Sequence, residues 1–210
     1  VWPHAPGFPK IAVSTGHRMP QLTLPGQPHI AQRDTSLFVE QVAVASLAKT
    51  HGTPLFVYSK AAMLSALAAY QRGFAGRKAQ ICYAMKANSA LAVLQVFAQA
   101  GCGFDIVSSG ELERVLAAGG DPRKVIFSGV GKTRAEMAHA LEVGIGCFNV
   151  ESEAELEVLS QVASSLSKTA PVSIRVNPNV VSITLPFLST CLRDNEFGVA
   201  HEHSLRTYQR

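Results

Sequence analysis

The stretch from Gln80 to Gly120, QICYAMKANSALAVLQVFAQAGCGFDIVSSGELERVLAAGG, reads twice over as a strand followed by a helix. Its first apolar run, residues 80–84, ends at Met85 and Lys86, after which Leu91, Leu94 and Ala98 fall at helical spacing. Its second run, 104–107, leads into Leu112, Val115 and Leu116, again at helical spacing. The alternation extends outward. Strand-like runs recur at 125–128, 147–150 and 172–176, and another lies upstream at 55–58. Between them Met63, Leu64, Leu67 and Tyr70, then Met137, Ala140 and Leu141, then Leu156, Leu159 and Ala163 mark amphipathic helices. Short apolar strands alternating with such helices predict parallel β/α units.

Three helix starts carry one device. Ser108 and Glu111, Thr133 and Glu136, and Ser152 and Glu155 are each spaced as a capping box, in which hydroxyl and carboxylate satisfy free N–H groups of the first turn. Gly119-Gly120 and Gly144 are placed to close two of these helices. A doubly wound sheet and a (β/α)8 TIM-type barrel both produce this pattern. The even repeat favours the barrel, and so do the polar residues at successive strand C-termini: Lys86, Asp105, Ser128, Asn149 and Arg175. In barrels those ends build the active site. A full barrel needs eight strands and about 250 residues, so the expectation is an α/β fold with a barrel present in part, as about five β/α units. Residues 1–35, rich in Pro, Gly, His and Gln, read as an irregular leader, and 36–210 as the partial barrel domain. Phe38, Val39, Val42 and Val44 suggest a short extended segment leading to a helical turn near Leu47.

Composition narrows the function. The chain has 210 residues, 47% hydrophobic and 16% charged, as a globular protein does. Nineteen basic against fifteen acidic side chains give a net charge of only +4, and the basic residues form no stripe, which argues against a nucleic-acid partner. No apolar run reaches the roughly 18 residues of a membrane span, and no signal-peptide pattern opens the chain, so no membrane is expected and a cytoplasmic location is. Cys82, Cys102, Cys147 and Cys191 lack CxxC pairing and read as free thiols in a reducing compartment. No metal site is expected: the seven histidines form no convincing ligand cluster, although His201 and His203 have a spacing that binds a metal weakly.

The candidate chemistry lies at the strand ends. Lys86 reads either as a solvated loop lysine or as an amine at a barrel mouth, nucleophilic enough for a Schiff base. Tyr83 should face away from Ala84 and Lys86 and pack. Asp105, inside an apolar strand, needs a partner. Lys86 is one candidate; backbone or water is the other. Arg175 reads as a holder of an anionic cofactor or substrate group, or as a member of a rim ion pair. Gly101 and Gly103 read as turn residues. The stretch FSGVGKT (127–133) looks like part of a phosphate loop but lacks the G-x-x-x-x-G-K-[ST] spacing.

Together YAMKAN (83–88), GFDIVSSGEL (103–112), VIFSGVGKT (125–133), FNVESEAEL (148–156) and RVNP (175–178) resemble the diaminopimelate decarboxylase family, which belongs to the barrel-type (fold type III) pyridoxal-phosphate-dependent decarboxylases. The resemblance runs from about residue 37 to about 199. It implies that Lys86 is the Schiff-base lysine for pyridoxal 5'-phosphate, that Asp105 lies close to that bond, and that Arg175 lies beside the cofactor ring. Residues 184–198 would form the substrate-side loop. The reaction implied is decarboxylation of meso-diaminopimelate to L-lysine, by a homodimer acting on a small amino acid. The sequence departs from the family at Leu185, Phe187 and Cys191, where histidine, tyrosine and glycine are usual. The family's remaining barrel strands and C-terminal β-domain have no counterpart here. The expectation is therefore that this chain by itself is poorly folded and has impaired or no activity. Other readings are an ornithine- or arginine-type decarboxylase, a non-catalytic partner, or a degraded copy.

Overall fold

The computed structural model describes residues 28–178 and 198–209, which fall into two contact units, one up to Ala62 and one from Met63. In the first, β1 (Ile30–Arg33), β2 (Ser36–Val39) and β3 (Val42–Ala43) form an antiparallel sheet in that order, followed by α1 (Val44–His51). Ile30 pairs with Val39 and Arg33 with Ser36. Thus β1 lies inside the stretch expected to be irregular. Four residues are too few for alternation to stand out from their polar surroundings. Residues 55–58 belong to no strand, and Phe56 is 85% exposed. An apolar run becomes a strand only when a neighbour takes up its backbone groups, and none does so among the described residues.

The second unit is built on β4 (Cys82–Ala84), β5 (Gly103–Ile106), β6 (Val125–Phe127), β7 (Cys147–Val150) and β8 (Val172–Ile174). All neighbours are parallel and the spatial order equals the chain order, β4-β5-β6-β7-β8. Helices α2 (Lys60–Gly73), α3 (Leu91–Gln99), α4 (Ser109–Ala117), α5 (Arg134–Val143) and α6 (Glu153–Ser165) accompany them. Helix α3 packs on α4, α4 on α5 and α5 on α6, as helices lying in series along one face do. A doubly wound sheet reverses its strand order and carries helices on both faces. Sequential order with serial helices is the barrel arrangement, here as an arc.

The arc continues past the strand count expected from the sequence. The run at 172–176 divides into β8 and β9 (Val176–Asn177), and β10 (Val199–Ala200) pairs with β9 in parallel before α7 (His201–Tyr208). Arg175 is the joint: its N–H donates to Val150 O (2.9 Å) and its carbonyl accepts from Val199 N (2.8 Å). A two-residue strand such as β10 carries too little pattern to be read in advance.

Period-two alternation separates two faces. Phe104, Ile106, Val125, Phe127, Phe148, Val150 and Ile174 are buried and turn toward the helices, where Leu94, Leu112, Val115, Met137 and Leu159 meet them. The Phe127 and Phe148 rings stack at 6.1 Å. Each fully buried side chain of this size contributes about 1.5–3 kcal/mol. Tyr83 belongs to the same face, stacked on Phe97 at 4.3 Å with its hydroxyl donating to Asn88 O (3.1 Å), a packing role as expected.

The connections at the strands' N-terminal ends are tight. Gly101 takes a positive φ of 75°, and a Cβ on Gly103 would overlap the Lys124 carbonyl, so both glycines serve the turn. Of the three expected capping boxes only Thr133 and Glu136 form the reciprocal pair. Ser108 and Ser152 cap their helices, but Glu111 and Glu155 each reach one residue further, to Val107 N (2.7 Å) and Glu151 N (3.0 Å).

Candidate active site

Residues on the other strand face converge at the C-terminal ends. Ala84 pairs with Asp105 in the ladder, and the same face of the later strands carries Ser128, Asn149, Glu151 and Arg175. These residues, with Lys86, Val107 and Gly129, line one cavity of about 440 Å³, within the size range of small-molecule sites. A second cavity of about 560 Å³, between α2, β4 and α3, is lined by Leu67, Tyr70, Tyr83 and Phe97 among others, with no charged side chain. Of these two, only the first carries charged side chains to orient a reactant.

The structure brings all three sequence-predicted residues to this cavity. Lys86 lies in a single 3-10 turn, Met85–Ala87, that directly follows β4. Met85 is buried while Lys86 is exposed at the rim, and among the described residues its amine has no hydrogen-bond or ion-pair partner. Asp105 is half-buried, and its Oδ1 accepts from the Ser128 hydroxyl at 2.6 Å. The Ser128 hydroxyl oxygen accepts in turn from Asn149 Nδ2 at 2.9 Å. The partner that Asp105 requires is therefore a serine on the next strand end; among the described residues no ion pair joins it to Lys86. Arg175 Nη1 donates to both Glu151 oxygens, at 3.1 and 3.2 Å.

FSGVGKT, which lacks the spacing of a phosphate loop, also lacks a free lysine for one, because Lys132 is engaged internally. Its side chain is fully buried, and its ammonium donates to Gly129 O (2.6 Å), Asn149 O (2.8 Å) and Glu155 Oε1 (2.7 Å). With its three donors taken, it has none left for a phosphate. His201 and His203 are exposed on α7, and residues two apart on a helix do not face each other. Among the described residues no group of three His, Cys, Asp or Glu can hold a metal, and no helix is long and apolar enough to cross a membrane.

Cys82, Cys102 and Cys147 are free thiols. Burial raises the Cys82 thiol above its ordinary value, and the negative charge of Asp105 adds to the rise. Burial also raises Cys147, and pushes Cys102 up to about 11. Residues 184–197, with Leu185, Phe187 and Cys191, lie outside the described residues.

Sequence reasoning placed Ser128 and Asn149 at the active-site ends of their strands without giving them a role, and did not assign Glu151. A signal for Glu151 exists: counting in twos along 147–151 places Cys147, Asn149 and Glu151 on the face that Ala84 and Asp105 occupy on their own strands.

An amine, a carboxylate and a guanidinium thus line one cavity at the C-terminal ends of parallel strands, the end at which barrel enzymes build their active sites. Residues 60–210 match the family model of the pyridoxal-dependent decarboxylase, pyridoxal binding domain, and the chain belongs to that family. Its cofactor is pyridoxal phosphate. The chain is 56% identical over 178 residues to the diaminopimelate decarboxylase of Pseudomonas aeruginosa, a match covering 85% of this chain and 43% of that protein. Among solved structures it is similar to diaminopimelate decarboxylase from M. jannaschii in complex with L-lysine (TM-score 0.79, 33% identity, 88% of this chain and 44% of that one). It is also similar to the enzyme from Helicobacter pylori complexed with L-lysine (TM-score 0.76, 42% identity, 79% and 42%). The chain thus spans less than half the length of the relatives it matches.

The residues present suit the cofactor. Lys86 would offer an amine to its aldehyde and Arg175 a cation to an anionic oxygen, and the 440 Å³ cavity would give room for a substituted pyridine.

Proposed function

We propose that this chain is the cofactor-lysine part of a diaminopimelate decarboxylase, which converts meso-diaminopimelate to L-lysine and CO2. The observation that carries the reading is that Lys86, Asp105 and Arg175, separated by up to 89 positions in sequence (86 to 175), line a single cavity. The 56% identity to one diaminopimelate decarboxylase supports the same branch over the ornithine or arginine types.

Bound pyridoxal phosphate supplies the electron sink for the carbanion left when CO2 departs. The residues of this chain bind and orient. Lys86, on a turn anchored by buried Met85, presents its amine at the rim, where a carbonyl carbon can reach it. Asp105, held by Ser128 in the cavity lining, stabilises positive charge that develops on a nitrogen near Lys86. Arg175 fixes an anionic oxygen at the opposite wall. The small-molecule substrate enters the same cavity, and the working form is a homodimer in the cytoplasm.

The test is covalent. The purified chain is incubated with pyridoxal phosphate, reduced with borohydride and mapped by peptide mass spectrometry, with Lys86→Ala as the control. The pyridoxyl group should sit on Lys86 and vanish in the variant. Labels scattered over surface lysines in both proteins would overturn the assignment. Release of CO2 from meso-diaminopimelate, with none from ornithine or arginine, tests the substrate.

A further inference from the structure

The wall of the cavity contains a closed ring of hydrogen bonds that the roles of Lys86 and Asp105 do not require. Lys132 Nζ donates to Gly129 O at 2.6 Å, and Gly129 N donates to Glu151 Oε1 at 3.2 Å. Glu151 N donates to Glu155 Oε2 at 3.0 Å, and Glu155 Oε1 accepts from Lys132 at 2.7 Å, which closes the circuit. Two members follow β6, and two lie at or near the start of α6. The side chains of Lys132, Glu155 and Glu151 are 0%, 8% and 2% exposed.

Burying a carboxylate is costly unless its charge is answered. Lys132 answers Glu155. Glu151 meets one backbone N–H inside the ring, and both its oxygens accept from Arg175 Nη1 at 3.1 and 3.2 Å. Arg175, 41% exposed, lines the cavity together with Gly129 and the almost fully buried Glu151, and is the exposed charge of the cluster. The ring fixes Glu151 through both its backbone and its side chain, so the carboxylate cannot swing to follow the guanidinium. The guanidinium must instead come to the carboxylate.

We propose that Glu151 is a positioning residue: the buried ring immobilises its carboxylate, which holds Arg175 in the cavity wall as a preorganised cation for an anionic oxygen of the bound molecule. A cation fixed before binding loses no freedom when the anion arrives, which is how such groups contribute most. The proposal rests on reading the cavity as the pyridoxal phosphate site.

Two measurements on the full chain test it, and they separate its failure from that of the functional reading. The first is pyridoxal phosphate affinity, followed by visible absorbance, for Glu151→Gln, Arg175→Gln and the double variant. Each single change should weaken binding by about tenfold, the weight of one charge-assisted hydrogen bond. The double variant should bind no worse than Arg175→Gln, because Glu151 acts only through Arg175; multiplying losses would overturn the proposal. The second needs no cofactor. Nitrogen-15 NMR of the Arg175 guanidinium should show its protons exchanging with water at least about tenfold faster in Glu151→Gln. Lys132→Met combined with Glu155→Gln, which opens the ring away from Arg175, should have the same effect. Glu155→Gln alone, which keeps an acceptor for Glu151 N, serves if the pair does not fold. An unchanged guanidinium in these variants would overturn the proposal whether or not pyridoxal phosphate binds. Absence of Lys86-dependent binding in the unmutated chain would defeat the functional reading, and the NMR result would still decide this one.

Discussion

The Ser128 hydroxyl donates to Asp105 Oδ1 across 2.6 Å while accepting from Asn149 Nδ2 at 2.9 Å, so three consecutive strand ends share one relay. Removing its centre leaves a half-buried carboxylate short of a donor and an amide short of an acceptor. Ser128→Ala should cost about 1–3 kcal/mol, the penalty of leaving such groups unsatisfied. The check is urea unfolding, read as a lower midpoint at unchanged slope. An unchanged midpoint would show that water replaces the hydroxyl at no cost.

Lys132 and Arg123 make contrasting ion pairs. The first is fully buried against Glu155, and the second lies exposed beside Asp121. Lys132→Met leaves Glu155 buried and uncompensated, so a loss of about 3–5 kcal/mol is expected. Arg123→Ala breaks a pair that water already screens and should leave the unfolding midpoint where it was. Both variants can be followed by circular dichroism in the same denaturant series.

Glu136 gives the fold an acid limit. The Thr133 N–H is the largest influence holding its carboxyl below the ordinary 4.5, with the Ser109 N–H and the Thr133 hydroxyl adding to it against a smaller opposing effect of burial. A carboxyl with a lowered native value contributes stability that is complete above the unfolded value and is lost as pH falls through the native one. Stability should therefore decline below about pH 4.5. Glu136→Gln should make that decline shallower and leave the neutral-pH slope unaltered, as thermal unfolding across a pH series would reveal.

Gly103 and Gly131 predict opposite tolerance. A Cβ on Gly103 would overlap the Lys124 carbonyl and lie 2.6 Å from Gln80 Nε2 and 2.7 Å from Cys82 Sγ, whereas one on Gly131 meets nothing within 4 Å. Gly103→Ala should destabilise by about 1–3 kcal/mol through overpacking where β5 begins. Gly131→Ala should be neutral. Melting temperatures of the two variants, measured side by side, check both.

The repeat of strand and helix between residues 80 and 176 was legible because each element carries its own period, two or 3.6, in its apolar residues. Tyr83 could be set on the face opposite Ala84 by counting alone, and Lys86, Asp105 and Arg175 could be placed near strand C-termini. The apolar run at 55–58 shows the limit of that logic: its apolar content resembles that of β4, but strand identity belongs to a pair of segments. The two-residue β9 and β10 fail for the same reason, since their evidence is a ladder and not a pattern.

By itself, then, the sequence determined the parallel β/α class, the strand ends near which the candidate lysine, aspartate and arginine lie, and, through its motifs, the family. These are local properties, set by side-chain periodicity and residue chemistry. Only the tertiary structure decided that Lys132 is an internal clamp and not a phosphate ligand, that Asp105 is answered by Ser128, and that Glu151 stands behind Arg175. A buried lysine needs acceptors from several segments at once, here the ends of β6 and β7 and the first turn of α6. A one-dimensional pattern does not record which distant carbonyls and carboxylates folding gathers around an ammonium.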